Sequence, residues 1–135
     1  VALATTGADP QTKARIACVN PGTLVQEWIS DIGVKLNTSA YSPCPLVGSP
    51  STGDLYFVAT DNKIYTFNTM TKTEELFVNP GKSMYGYMNI SADGTRLFYP
   101  NGNGYSSGGF AIYSTADKTK VDKSVSLSPC IAFKQ

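Results

Sequence analysis

Short apolar runs separated by turn-forming residues constrain the fold of this chain more than any other feature of its sequence. From residue 54 onward, runs such as 55–59 and 63–67 alternate with turn signals such as Asp61-Asn62 and Asp93-Gly94. None of these runs is long enough to span a bilayer as a helix. Their length and punctuation are typical of an antiparallel meander. The sequence therefore predicts a mainly β (α+β) fold with roughly six to eight short strands.

We expect one domain over residues 1–135, because chains of this length usually fold as a single domain. Its segments are a mobile arm or extended edge at 1–15, a helix region at 16–36, a loop rich in Pro, Ser and Gly at 37–53, and a β region at 54–135. The strands are predicted at 55–59, 63–67, 75–78, 85–90, 96–99, 110–113, 125–127 and 131–133.

Upstream of the β region, the pattern predicts one amphipathic helix over residues 21–32. Asn20 is a good N-cap, Pro21 suits the first helical position, and Gly33 supplies a stop. Between them, five apolar residues recur at helical spacing: Leu24, Val25, Trp28, Ile29 and Ile32. We expect this helix to pack on the meander, with Trp28 as an anchor in the core.

The chain contains no histidine. Histidine is the usual acid–base group near neutral pH and the commonest metal ligand. Its absence excludes Ser-His-Asp and Cys-His hydrolases and disfavours most zinc sites, so we expect no catalytic centre, no metal and no cofactor. A small secreted hydrolase or ribonuclease acting without histidine remains a third interpretation, with Tyr56, Glu75 and Arg96 as its candidate residues.

Charge disfavours two classes of partner. Eleven basic and ten acidic residues are spread along the chain and give a net charge of +1. No basic block indicates nucleic acid, and no polybasic run indicates an anionic membrane. We therefore expect neither as a partner.

Three features favour a secreted protein. The chain begins at Val1 without an initiator methionine, which is consistent with removal of a signal peptide or prosegment, or with trimming. N-glycosylation sequons stand at Asn37 and Asn89. Three cysteines could form one disulfide and leave one thiol unpaired.

The sequence surroundings of the three cysteines differ. Cys44 lies between two prolines and Cys130 follows Pro129, so both stand in rigid, non-helical contexts. Cys18 lies in an apolar run and is typical of a buried free thiol. Cys44–Cys130 is the first candidate pair, and Cys18–Cys44 is the alternative.

The second half of the chain contains a weak internal repeat. Residues 53–57 are echoed by residues 94–99, and residues 67–73 are echoed by residues 113–119. The spacing is roughly forty-odd residues, a period typical of propeller blades with four strands.

Residues 90–99 resemble the strand opening of a blade in YVTN-type or lactonase-like β-propellers. There, a Ser-x-Asp-Gly turn leads into an apolar strand, as Ser91-Ala92-Asp93-Gly94 does here. The resemblance covers residues 50–127 and implies blade-like sheets, in a propeller fragment or in a propeller completed by self-association. Hairpin chemistry shared with unrelated β proteins is the alternative. No functional residue of that family has a counterpart in this chain.

Tyrosine and asparagine side chains concentrate in the second half, and both sugar sites and protein interfaces favour tyrosine. We expect a secreted, non-catalytic binding protein, an accessory subunit that packs on and stabilises a larger secreted partner. The alternative is a carbohydrate-binding, lectin-like module, and a homo-oligomer also remains open. Tyr105, in the glycine-rich loop, is the best exposed candidate. The candidate binding residues are Tyr85, Tyr87, Tyr99, Asn101, Asn103 and Tyr105.

Overall fold

A computed structural model describes residues 2–5, 14–34, 36, 46–84, 87–102 and 108–121. These residues form three small antiparallel sheets, and they contain no helix. The prediction of a mainly β, antiparallel fold is confirmed, whereas the predicted helix is absent from its place in the chain.

Each sheet is built from strands in sequence order. The first sheet contains β1 (Ala2–Thr5), β2 (Arg15–Val19) and β3 (Gln26–Asp31). The middle sheet contains β4 (Leu46–Gly48), β5 (Leu55–Val58), β6 (Ile64–Asn68) and β7 (Thr73–Val78). The third sheet contains β8 (Asn89–Ile90), β9 (Arg96–Gly102) and β10 (Gly108–Ser114).

The helix prediction over 21–32 is wrong, because the chain makes one tight turn there and then runs as β3. The side chain of Asn20 accepts hydrogen bonds from the backbone amides of Gly22 and Thr23, as an N-cap does. Leu24 then takes a positive φ of 57°, which a helix does not allow, and its amide donates to the carbonyl of Asn20 at 2.8 Å. The capping signal is therefore real, but it begins a turn.

The apolar residues after this turn alternate as strand residues do. Trp28 and Ser30 are half-buried, while Ile29 and Asp31 between and beyond them are exposed. Because β3 pairs with β2 along its length, the period of two is enforced by the sheet. Apolar residues four positions apart fit the period of a strand as well as that of a helix, so the sequence pattern alone did not distinguish the two.

The middle sheet lies between the other two, and its strand β5 is buried on both faces. All four residues of β5 are buried. Leu55 and Phe57 pack in a cluster with the first sheet, and Tyr56 and Val58 pack in a cluster with the third sheet. A strand that is apolar on both faces is what a sheet between two layers requires.

The remaining boundaries differ from the prediction in detail. β4 lies inside the segment predicted as a loop at 37–53. Within the described part of the predicted strand 85–90, only Asn89–Ile90 pairs as a strand. The strands predicted at 125–127 and 131–133 lie outside the described residues.

Candidate functional site

The same five-residue turn occurs once in each sheet. It begins at Asn20, Asn68 and Ser114, which are separated by 48 and 46 residues. In each case the residue four positions later has a positive φ, and its backbone amide donates to the carbonyl of the first residue. These residues are Leu24 (57°, 2.8 Å), Lys72 (60°, 2.9 Å) and Lys118 (63°, 3.1 Å). The repeat that the sequence showed in two copies therefore has three.

A second contact is common to the middle and third sheets. The hydroxyl of Thr69 donates to the carbonyl of Gly53 at 2.9 Å, and that of Thr115 donates to the carbonyl of Gly94 at 2.7 Å. Both glycines have a φ of 73°, which favours glycine because it has no Cβ. In both sheets, this hydrogen bond joins two turns that lie at the same end of the strands.

The turn of the middle sheet reaches over the first sheet. The ammonium group of Lys72 lies 3.4 Å from the centre of the Trp28 ring. The other neighbour of that ring is Phe67, stacked at 6.0 Å between centroids. Trp28 thus packs against the core, as predicted for an anchor, although it does so from a strand. Nearby, the thiol of Cys18 is free and donates to Glu27 at 3.2 Å, and this hydrogen bond raises the thiol pKa.

Three large apolar side chains are exposed at the tips of these turns. Leu24 is 78% exposed, Val25 60% and Met70 86%. The turns that carry them are the equivalent turns of two adjacent sheets, and Lys72 of the second turn lies over Trp28 of β3, the strand that follows the first turn. We call these three residues the turn-tip cluster. The sequence pattern places Leu24 and Val25 on the apolar stripe of a helix, whereas both side chains are exposed. The matching positions of Asn20 and Asn68 are the sequence signal that indicates a turn instead.

A cleft of about 280 Å³ opens where the middle sheet meets the turn of the third sheet. Tyr56 and Phe77 line it and pack edge to face at 5.1 Å between ring centroids. The other lining residues are polar: Asp54, Thr66, Asn68, Thr71, Thr73, Glu75, Thr115 and Lys118. Both rings are buried at the floor of the cleft, so the groups that it offers to a polar ligand are the hydroxyl, amide, ammonium and carboxylate groups of the lining residues.

Each charged side chain that lines the cleft bonds to a neighbouring polar or charged side chain. The Asn68 side chain donates to the Asp54 carboxylate at 3.0 Å. Lys118 forms an ion pair with Glu75 at 2.8 Å, and joins the third sheet to the middle sheet. Burial raises the pKa of Tyr56, and the charges of Asp54 and Glu75 raise it further, so the tyrosine hydroxyl stays protonated at neutral pH.

The predicted binding residues within the described part are not gathered into one site. Tyr87 is well exposed. Tyr99 is buried in the core, where its hydroxyl donates to the carbonyl of Lys82 at 2.8 Å, and burial raises its pKa. Its ring therefore fills the space between sheets and presents no surface to a ligand. The backbone of Asn101 lies in β9.

Several other predictions fall outside the described residues. They are the binding residues Tyr85, Asn103 and Tyr105, the sequon at Asn37, and the disulfide candidates Cys44 and Cys130. The second sequon residue, Asn89, is half-buried in β8.

Two of the three residues nominated for a histidine-free nuclease lie together. Tyr56 and Glu75 both line the cleft, but Arg96 does not, and one of its guanidinium nitrogens donates to the carbonyl of Thr95 at 3.0 Å. The arginine of that interpretation is thus not among the residues that line the cleft.

The described residues contain neither a cluster of metal ligands nor a membrane-spanning helix. There, no group of three or more Cys, Asp or Glu side chains is placed to hold a metal ion. Within those ranges, no helix has the length and hydropathy that a bilayer crossing requires.

No protein-family model, curated protein or solved structure matches this chain. The repeated turns, the turn-tip cluster and the cleft are therefore the features from which a function can be inferred.

Proposed function

We propose that this protein is a secreted, non-catalytic binding protein, an accessory subunit that packs on and stabilises a larger secreted partner. The observation that carries the proposal is the turn-tip cluster. Leu24, Val25 and Met70 are large apolar side chains at the equivalent turns of two adjacent sheets, and each is more than half exposed. Large apolar side chains that remain exposed on one part of a protein are characteristic of interaction sites.

The conformation of the turns favours a binding role. Asn20 and Asn68 each hold their turn through two side-chain hydrogen bonds to backbone amides. A turn held in this way loses little conformational entropy on association, so more of the burial energy of Leu24 and Met70 contributes to affinity. Fully burying one such side chain contributes about 1.5–3 kcal/mol.

The first test is the native mass of the unreduced protein from its natural source, measured by size exclusion with light scattering. A second polypeptide in the same peak, lost when Leu24→Asn and Met70→Gln are combined, is the expected result. Asparagine tolerates the positive φ at position 24, so the turn is preserved. Leu76→Gln is the matched control, since Leu76 is also exposed but lies on strand β7. A second polypeptide that persists in the double variant would contradict the proposal.

Secretion is part of this proposal and has its own test. The sequon at Asn37 and the cysteines Cys44 and Cys130 support it. We expect a mass loss on enzymatic removal of N-glycans, and one disulfide per chain in the unreduced protein. A protein from its natural source with neither feature would contradict secretion.

We also propose that each sheet is blade-like. The middle sheet is a four-stranded antiparallel meander, and the third sheet continues beyond β10 through a bridge between Tyr113 and Lys120. The turn at Asn20, Asn68 and Ser114 recurs at a spacing typical of blades. An experimental structure in which the three sheets do not stack face to face would contradict this.

A carbohydrate-binding module is the second candidate, and the cleft beside Tyr56 and Phe77 favours it. Its hydroxyl, amide and carboxylate groups can hydrogen-bond a sugar that lies over the buried rings of Tyr56 and Phe77. The test is a glycan array followed by melting-temperature shifts with any glycan found. Thr73→Val alters the cleft, whereas Tyr87→Ser alters the exposed tyrosine predicted from sequence. Loss of binding in Thr73→Val alone supports the cleft, and an array without ligands contradicts it.

A further inference from the structure

The junction between the first and middle sheets and the junction between the middle and third sheets differ at one position of the repeat. Cys18 of the first sheet and Thr66 of the middle sheet each stand two residues before the asparagine that begins the five-residue turn. Trp28 is directly opposite Cys18, and Glu75 is directly opposite Thr66. Trp28 and Glu75 therefore occupy equivalent positions in their sheets.

The lysines that contact these two residues are equivalent as well. Lys72 and Lys118 each hold the last position of the five-residue turn in the sheet that follows, with φ angles of 60° and 63°. The ammonium group of Lys72 lies over the Trp28 ring, whereas that of Lys118 forms an ion pair with Glu75. The two contacts thus join adjacent sheets at the same place, once through an aromatic ring and once through a carboxylate.

The exchange of a tryptophan for a glutamate accounts for the position of the cleft. At the first junction, the Trp28 ring stacks on Phe67 at 6.0 Å between centroids. A glutamate has no ring to fill the equivalent space, and the cleft of about 280 Å³ lies there, lined by Glu75 and Lys118. Pockets for drug-sized ligands have volumes of about 300–1,000 Å³, so this smaller cleft suits a ligand with a single ring.

The hydroxyl of Tyr56 has no hydrogen-bond partner among the described residues, although this tyrosine is only 4% exposed. Among the same residues, every fully enclosed side-chain oxygen or nitrogen has a partner, so this hydroxyl reaches open space. The open space beside Tyr56 is the cleft. Because a hydroxyl that is largely removed from water gains free energy from a partner, it is a donor for a ligand that enters the cleft.

The polar groups around Tyr56 offer hydrogen-bond acceptors and donors side by side. The Asp54 carboxylate accepts one hydrogen bond from the Asn68 side chain, and other lone pairs remain. The hydroxyls of Thr71 and Thr73 bond to each other at 2.7 Å, which leaves one of their two hydrogens to donate. A sugar hydroxyl both donates and accepts, so the adjacent hydroxyls of one sugar ring match this mixed set.

The charges that line the cleft favour an uncharged ligand. Two carboxylates, of Asp54 and Glu75, and one ammonium group, of Lys118, are the charged groups among the described lining residues. One negative charge is therefore in excess. A sugar that carries its own carboxylate would be repelled by it.

We infer that the cleft binds one uncharged sugar residue in the space that corresponds to the Trp28 ring, with the Tyr56 hydroxyl donating to a sugar oxygen and the Asp54 carboxylate accepting from a sugar hydroxyl. The inference rests on the carbohydrate-binding candidate proposed above, and it names the class of ligand and the groups that hold it. The turn-tip cluster does not line the cleft, so the larger partner proposed above is a separate matter.

The test measures affinity by ligand-observed NMR titration with a panel of uncharged monosaccharides. For each hexose, the panel includes the uronic acid in which one CH2OH group becomes a carboxylate. We expect at least one uncharged sugar to bind, and the uronic acids to bind more weakly than the hexoses.

Tyr56→Phe removes only the hydroxyl and should weaken the binding of that sugar roughly fivefold to tenfold. Its melting temperature without sugar should be equal or higher, because no hydrogen bond within the described residues is lost. A residue with a merely structural role would not give this combination. Tyr87→Phe is the matched control and should bind as the wild type does, since Tyr87 is exposed and does not line the cleft.

A second variant, Glu75→Trp, places in the middle sheet the residue that the first sheet has at the equivalent position. Its ring should fill the cleft and abolish sugar binding, and its melting curve shows whether the chain stays folded. Leu76→Trp is the control, because Leu76 is the next residue of β7 and its side chain lies on the opposite face. Leu76→Trp should leave the affinity unchanged.

The outcomes separate this inference from the candidate function on which it rests. Wild-type affinity in Tyr56→Phe, or in a folded Glu75→Trp protein, overturns the inference, because the sugar then binds elsewhere on a carbohydrate-binding protein. Uronic acids that bind as tightly as the hexoses overturn the preference for an uncharged ligand. A glycan array with ligands, beside a monosaccharide panel with none, overturns the single-residue site alone. Absence of binding in both experiments contradicts the inference and the carbohydrate-binding candidate together.

Discussion

The ammonium nitrogen of Lys72 lies 3.4 Å from the centre of the Trp28 ring, and so a turn of the middle sheet is fastened to a strand of the first sheet. The ring is stacked on Phe67 of the middle sheet as well. The Trp28 ring of the first sheet is thus held by Lys72, on a turn of the middle sheet, and by Phe67, on strand β6 of the same sheet. Trp28 is the only tryptophan of the chain, so tryptophan emission reports on the surroundings of this one side chain.

We predict that Lys72→Met weakens the contact between the first two sheets. Methionine keeps an unbranched side chain but removes the charge that the ring attracts, at a cost of about 0.5–1 kcal/mol for an exposed site. The measurement is urea unfolding followed by tryptophan emission, with a lower midpoint and a shifted native spectrum expected. Lys118→Met is the control, since Lys118 has the same turn position but contacts Glu75 and Phe77. A Lys72→Met protein with the wild-type midpoint and spectrum would contradict the prediction.

The turn at Asn68 has an equivalent in the third sheet, where serine takes the place of asparagine. The Asn68 side chain accepts hydrogen bonds from the amides of Met70 and Thr71 and donates to Asp54. We expect Asn68→Ala to lower the free energy of unfolding by about 1–2 kcal/mol, as loss of a helix cap does. Asn68→Ser should cost less, because Ser114 stands at this position in the third sheet. Equal stability of the two variants in urea unfolding would show that the side chain does not hold the turn.

Gly94 combines a positive φ with a close approach between sheets. Its φ is 73°, and a Cβ there would collide with the hydroxyl of Ser51 and lie 2.9 Å from that of Ser49. We expect Gly94→Ala to cost about 1 kcal/mol from backbone strain and about 1–3 kcal/mol more from the collision. Gly81→Ala is the control, because Gly81 has a φ of 69° with nothing within 4 Å of the added Cβ. Thermal unfolding that gives the two variants equal stability would rule out the close approach.

Two aspartate carboxylates in turns, Asp93 and Asp117, make the free energy of unfolding depend on pH in the acid range. A hydrogen bond from Ser91, with further bonds from Thr95, lowers the pKa of Asp93 to about 2. A hydrogen bond from Thr119, with another from Ser114, lowers the pKa of Asp117 to about 2. The usual pKa of an aspartate side chain is 3.8, so between pH 3.8 and about pH 2 the folded chain binds fewer protons than the unfolded chain.

The stabilisation from these two groups is complete above about pH 4 and is lost as the pH falls toward 2. We therefore expect the melting temperature to fall over this interval. In a protein carrying both Asp93→Asn and Asp117→Asn, the melting temperature should fall less steeply over the same interval. Melting curves at closely spaced pH values are the measurement, and parallel profiles for the two proteins would contradict the assignment.

The sequence identified the β class and the hairpin of β5 and β6 because local signals settle both. Two short apolar runs on either side of the turn residues Asp61-Asn62 predict a hairpin, and β5 and β6 form one. The error at 21–32 has an equally local cause. Asn20 offers the same side-chain oxygen to a helix and to a tight turn, and only the positive φ of Leu24 distinguishes them. Local propensity holds no information about that angle for a leucine.

The candidate sites depended more on tertiary structure. Tyr99 and Tyr87 are both tyrosines near asparagines, yet one fills the core and the other faces solvent. The cleft joins Asp54 and Asn68 to Lys118, which is distant in the chain. Such a neighbourhood arises only after the third sheet packs on the middle one.

By itself, the sequence determined that the chain is mainly β, that histidine chemistry is absent, and that a short unit repeats. These follow from composition, from period-two patterning and from turn residues, all of which act within a few positions of the chain. Tertiary structure alone decided which face of each strand is buried, that the repeat occurs three times, and which apolar residues stay at the surface. The reason is physical: Leu24 and Leu97 have the same side chain, and only the packing of neighbouring sheets leaves one in water and buries the other.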